Sequence, residues 1–153
     1  VPVVRDQVLP LDGAYPVVDA SDFHDVLPGS DLLVLALALT PETTGIIGKQ
    51  ELALLPEHAW IGNVARGGHI VTGDLVEALQ EGVIGGAALD VTDPEPLPDD
   101  HPLWGFGNCI ITLHIANTPE MGLRLLEPFV AENVSRFCSG KVLLAPVDVA
   151  LGY

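Results

Sequence analysis

The chain has 153 residues, 48% of them hydrophobic, enough for one domain with a packed core. Asp and Glu number 21 against 6 Lys and Arg, and the formal charge of -15 repels phosphate backbones and anionic lipid, which argues against nucleic acid and membrane as partners. The longest apolar run, Leu32 to Leu39, is far too short to span a bilayer, and no basic segment with a cleavage site opens the chain, so a cytoplasmic protein is expected.

Short apolar runs alternate with amphipathic stretches. Tyr15–Asp19 reads as a first strand, and Ser21 as the cap of a short helix that runs to Leu27 and stops at Pro28-Gly29. Asp31–Leu39 is a second strand, followed by a short helix, Lys49–Leu55, that Pro56 ends. Ala59–Val64 forms the next strand. Thr72 can then cap a helix carrying Leu75, Val76 and Leu79, with Gly82 as its stop. Gly86–Val91 and Cys109–Leu113 complete the strands, which are mostly continuous runs of Val, Ile, Leu and Ala, as in strands covered on both faces. Thr118-Pro119 opens the longest helix, with Leu123, Leu126, Val130, Val134 and Phe137 at spacings of three and four, Pro128 inside it, and an end near Gly140. Cys109 and Cys138 lack metal-type spacing, and no metal site is expected. Strand and helix alternating over short connections predict an α/β fold on a parallel sheet.

In such sheets ligands sit beyond the carboxyl ends of the strands. Arg66 follows one strand, Asp90 lies near the end of the next, and His114 follows the last. The arginine is conspicuous in so acidic a chain, and its fixed fork of donors suits a two-point grip on a carboxylate. His114 can give or take a proton near neutral pH, and Glu95, in "DPEPLP", could hold that imidazole and favour its charged form. An arginine anchor, a histidine acid/base and a carboxylate that orients it suit reduction of a 2-keto acid, with the hydride drawn from a cofactor. Each residue alone could equally be a solvated loop residue.

The segments "LALTPETTGIIG", "NVARGGHIV", "GGAALDVTDPEPLPDDHPLW" and "ITLHIANT" stand in an order and spacing that resemble the D-isomer-specific 2-hydroxyacid dehydrogenase family, from about Asp31 to about Phe137. The resemblance implies an incomplete, doubly wound, Rossmann-like parallel sheet that lacks its first strand–helix unit. It further implies a partial dinucleotide-binding domain over residues 1–118, and over 119–153 a C-terminal helix and tail returning toward a substrate domain. By the same resemblance Arg66 binds the substrate carboxylate and carbonyl, Glu95 pairs with His114, and His114 donates the proton. Asp90 contacts the nicotinamide carboxamide, Thr40, Val64 and Ala65 line the cofactor cleft, and Ala116 lies near the nicotinamide. NAD or NADP is the implied cofactor, a small 2-hydroxy or 2-keto acid the substrate, and a homodimer the family's full-length assembly.

The chain departs from the family pattern at Leu113 and Ala38, where proline is usual, at Gly62, where a bulkier apolar residue is usual, and at Val71, where aspartate is common. No G-x-G-x-x-G turn for the cofactor pyrophosphate is found, and "VPVVRD" reads as the tail of a strand, with Asp6 near the adenosine ribose or Arg5 near a 2′-phosphate. Three readings follow: a dehydrogenase present as a C-terminal fragment inactive alone, a non-catalytic fragment or partner subunit, and a nucleotide-sensing, corepressor-like binding module.

Overall fold

A computed structural model of the chain describes residues 18–147. The chain divides into two compact units, Val1–Ile111 and Thr112–Tyr153. Arg5, Asp6 and most of the expected strand Tyr15–Asp19 lie outside the described residues.

Among the described residues the first unit has four parallel strands: β1 (Leu32–Leu35), β2 (Trp60–Asn63), β3 (Gly86–Leu89) and β4 (Cys109–Ile111), in the spatial order β1-β2-β3-β4. All four fall inside the expected apolar runs. Each ends short of its run, because the last residues leave the sheet to form loops. The helices are α1 (Phe23–Val26), α2 (Lys49–Leu54) and α3 (Thr72–Glu81). This is the Rossmann-like α/β sheet the sequence predicts.

Because every step from strand to strand moves the same way, right-handed crossovers place α2 and α3 on one face. Register confirms it. Leu33, Ile61, Ala87 and Cys109 stand abreast, as do Leu35, Asn63, Leu89 and Ile111. Their apolar members join Leu27, Leu52 and Leu55, with Leu75 and Leu79 of α3, in a single core. Each fully buried Leu or Ile there contributes about 1.5–3 kcal/mol. The opposite face carries Leu32, Val34 and Ile110, exposed by 59%, 53% and 56%. Strands covered on both faces were expected; within the described residues of this unit, α2 and α3 cover one face only.

Two helix starts also differ from expectation. The N-cap of α3 is Val71, and Thr72 instead spends its hydroxyl on the Asp93 carbonyl at 2.6 Å, while Gly82 ends the helix at φ 69° as expected. Near the start of the described residues, Asp19 rather than Ser21 caps the turn: its Oδ1 accepts from the Ser21 amide at 2.9 Å. The start of α2 is held by side chains from elsewhere. Asp74 accepts from the Lys49 amide at 2.9 Å, and Lys49 pairs with Glu77.

Glu51, half-buried in α2, accepts from the Gly48 amide at 2.9 Å and from His24 at 2.9 Å. Burial raises its pKa, but those bonds outweigh it and hold the carboxyl below its ordinary value. A depressed carboxylate stabilises the fold above its unfolded pKa, and the contribution is lost as the pH falls through the folded one. Glu51→Gln is therefore expected to cost about 0.5–2 kcal/mol at neutral pH, with the deficit shrinking in acid. Urea titrations of both proteins across the acid range would show it; a pH-independent difference would contradict it.

In the second unit, α4 (Pro119–Cys138) starts as expected, Thr118 accepting from the Met121 amide at 3.3 Å, and runs through Pro128. It buries no residue: Leu123, Leu126, Val130, Val134 and Phe137 are all exposed, as are Leu125 and Phe129. No described helix is long and apolar enough to cross a membrane. Cys109 in β4 has its thiol pushed up to about 11 by burial, which makes it a poor nucleophile.

Candidate active site

Three loops leave the carboxyl ends of β1, β2 and β3, and they carry six of the expected site residues. Thr40 is buried in a tight turn after β1. Its carbonyl accepts from the amides of Thr43 at 3.2 Å and Thr44 at 2.9 Å, and its own hydroxyl donates to Glu42 at 2.7 Å. Leu37 and Leu39, on the same exit, are exposed. The turn is tied to the β2 loop: Gly45 N–H donates to the Gly68 carbonyl at 2.8 Å, Ile47 N–H to His69 at 3.0 Å, and Ile47 pairs with Ile70 in a parallel bridge.

After β2 the chain runs through Val64, Ala65 and Arg66. Val64 is half-exposed, Ala65 is buried, and Arg66 is exposed and extended, with φ -147° and ψ 146°. The guanidinium donates from one Nη to the Ala65 carbonyl at 2.6 Å. The backbone beneath it is fixed from several sides. Asn63, fully buried, donates to the Arg66 carbonyl at 2.8 Å and accepts from the Ala65 amide at 3.0 Å. His69, also fully buried, places Nδ1 2.9 Å from the same carbonyl and Nε2 3.2 Å from that of Ala38. Gly67 lies so close to the β3 loop that a Cβ there would stand 2.0 Å from the Thr92 carbonyl oxygen.

Asp90 follows β3 and is buried; its amide donates to the Asn63 carbonyl at 2.9 Å, so it stands beside Val64 in the sheet order. Glu95 is exposed, in a loop with cis bonds at Asp93-Pro94 and Glu95-Pro96, and Leu97 behind it is buried.

His114 and Ala116 belong to the second unit, and both are exposed. His114 sits at φ 57°, in the left-handed region that costs a non-glycine residue roughly 1–2 kcal/mol.

Thus Thr40, Val64, Ala65, Arg66, Asp90 and Glu95 occupy neighbouring strand exits of one unit. Asn63 and His69 were missed by sequence reasoning. The signal was present: polar residues three before and three after Arg66, one closing a strand and the other set against an apolar pair. Among the described residues no cluster of His, Cys, Asp and Glu could hold a metal ion.

A parallel Rossmann-like sheet with an arginine at a strand exit defines a nucleotide-binding α/β domain. Sequence comparison names the family: the profile described as "D-isomer specific 2-hydroxyacid dehydrogenase, NAD binding domain" matches residues 9–116, and the chain belongs to that family. It is 38% identical over 145 residues to glyoxylate/hydroxypyruvate reductase A of Serratia proteamaculans, covering 94% of this chain and 45% of that one. Its fold matches a D-isomer specific 2-hydroxyacid dehydrogenase from Xanthobacter autotrophicus Py2, solved with NADPH and MES, at TM-score 0.86 and 36% identity. That match covers 99% of this chain and 61% of the other. An NADPH-dependent glyoxylate/hydroxypyruvate reductase from Sinorhizobium meliloti, solved with NADP and sulfate, matches at TM-score 0.85 and 34% identity, over 99% of this chain and 48% of that one. The chain spans about half the length of the curated relatives it matches.

Proposed function

We propose that this chain supplies the nicotinamide-facing and substrate-gripping part of an NAD(P)-dependent reductase of small 2-keto acids, of the glyoxylate or hydroxypyruvate kind. The observation that carries the reading is Arg66: an exposed guanidinium at a strand exit, on a main chain locked by Asn63, His69 and Gly67. A two-point donor on a fixed base can orient a carboxylate as well as attract it.

The residues fit the nicotinamide half of the cofactor. Val64 offers exposed apolar surface for a flat ring, and beside it Asp90 offers a carboxylate to accept from a carboxamide. When bound, the nucleotide supplies the hydride. Arg66 holds the substrate carboxylate and directs the adjacent carbonyl. His114 gives its proton to the carbonyl oxygen as negative charge develops there, and Glu95 orients the imidazole. The strained backbone of His114 supports a functional role, since such conformations concentrate at working sites. The family pattern assigns Thr40, Ala65 and Ala116 to cofactor binding as well. A homodimer is the assembly the family pattern favours. The isolated chain lacks the glycine turn for the pyrophosphate and is expected to be inactive alone.

The test joins this chain to the portion of the Serratia reductase that the match leaves uncovered and follows NADPH oxidation with glyoxylate. Turnover is expected. His114→Gln should lower kcat by about 100-fold or more, and Glu95→Gln by a smaller factor, with little change in nucleotide KM. Full activity in His114→Gln would remove the assigned proton donor.

A further inference from the structure

We infer that His69 is a positioning residue for Arg66, acting by a hydrogen bond from its Nδ1–H to the Arg66 carbonyl. The inference rests on the proposed role of Arg66 as the substrate's carboxylate anchor.

His69 is fully buried and has a main-chain carbonyl at each ring nitrogen. Carbonyl oxygens only accept, so a neutral imidazole can satisfy one of them and must choose. The shorter contact decides the choice. The distance from Nδ1 to Arg66 is 2.9 Å and that from Nε2 to Ala38 is 3.2 Å. The proton belongs on Nδ1.

With it there, the Arg66 carbonyl accepts from Asn63 Nδ2 at 2.8 Å and from His69 at 2.9 Å, and the His69 amide adds a third contact at 3.2 Å. Arg66 itself is extended and exposed. The plane of that peptide, and with it the direction in which Cα launches the side chain, is set by donors buried on the far side of the loop. A long side chain magnifies small errors at its base, and a displacement near 1 Å costs an oriented reaction roughly 100-fold.

Asparagine and glutamine separate this role from mere filling of space. In His69→Asn, the side-chain NH₂ falls near the place of Nδ1 and keeps the donor to Arg66. In His69→Gln, it falls near Nε2, loses the donor to Arg66 and offers a new one to Ala38 instead. Both variants are polar and smaller than histidine, so both open some space in the fold. The experiment is NMR on the full 153-residue chain, wild type and both variants. Ring nitrogen spectra read the tautomer, backbone amide shifts at Arg66 and Gly67 read the loop, and titration with oxamate, an unreactive 2-keto acid analogue, reads the guanidinium.

The expected result is a His69 ring protonated at Nδ1 and a His69→Asn protein whose Arg66 and Gly67 shifts stay close to wild type. Its oxamate affinity should remain within about 3-fold, whereas His69→Gln shifts both amides and loses roughly 10-fold. A proton on Nε2 alone, or equal perturbation of the loop in the two variants, would overturn the inference. If oxamate leaves the wild-type Arg66 signals unmoved, the anchor reading fails on that result, while tautomer and amide shifts still judge the contact of His69 with Arg66.

Discussion

In the joined enzyme described above, Arg66→Lys is expected to lower kcat/KM for a 2-keto acid by roughly 100-fold, with both binding and turnover impaired. Lysine keeps the positive charge, so a site that needed only charge would barely notice. What it loses is the planar fork: an ammonium group is a point donor and cannot hold carboxylate and carbonyl in one plane. Local structure should survive. The contacts that fix this loop are made by the Arg66 carbonyl; the side chain donates to the neighbouring Ala65 carbonyl. An exposed substitution of this kind changes stability by about 0.5 kcal/mol or less, so the melting temperature serves as the control. Steady-state kinetics within about 3-fold of wild type would make Arg66 a structural residue.

Gly67→Ala is expected to be among the most destabilising single-methyl changes in the chain, costing about 3 kcal/mol or more. The added Cβ would stand 2.0 Å from the Thr92 carbonyl oxygen and 2.6 Å from the Asp93 nitrogen, both main-chain atoms that cannot rotate away. Relief requires parting the β2 and β3 loops, which also breaks the bond from Thr72 to the Asp93 carbonyl and moves the loop bearing Glu95. At this chain length such a loss lowers the melting temperature by roughly 6–12 °C. Gly73, in the first turn of α3, is the matched control: nothing lies within 4 Å of its added Cβ, and alanine there should be neutral or stabilising by up to about 1 kcal/mol. Thermal melts of the two proteins make the comparison. Equal melting temperatures would mean that the loops are not closely apposed.

How much of this was legible depended on whether the deciding contact was local. The four strands could be read from their apolar runs because burial of one face demands them. Their ends could not: Ala36 to Leu39 and Val64 are as apolar as the strands, yet they form loops at the candidate site. Thr72 looked like a cap because its neighbours fit the rule, but the helix begins at Thr72 itself with Val71 as its N-cap, and the Thr72 hydroxyl donates to the Asp93 carbonyl, 21 residues on. The face on which this unit's described helices lie was not legible for a similar reason. Continuous apolar runs describe what a strand can bury, whereas the side each crossover takes is a property of strand order.

At the site, Arg66 and Asp90 stood out because polar residues that end apolar runs lie where such sheets bind ligands. Asn63 and His69 passed unnoticed, since their value lies in a main-chain carbonyl whose direction no sequence pattern states. Family resemblance marks the residues that meet ligands; the buried groups that aim them emerge from geometry.

The central claim is that this chain helps to deliver hydride to one face of a 2-keto acid held by Arg66. Chiral analysis of the product from hydroxypyruvate and NADPH tests it most directly, since glyoxylate gives an achiral product and cannot report the face. The joined enzyme is predicted to form D-glycerate alone, with product appearing as NADPH is consumed. Formation of the L isomer, of a racemate, or of no glycerate at all by a folded protein would contradict the claim.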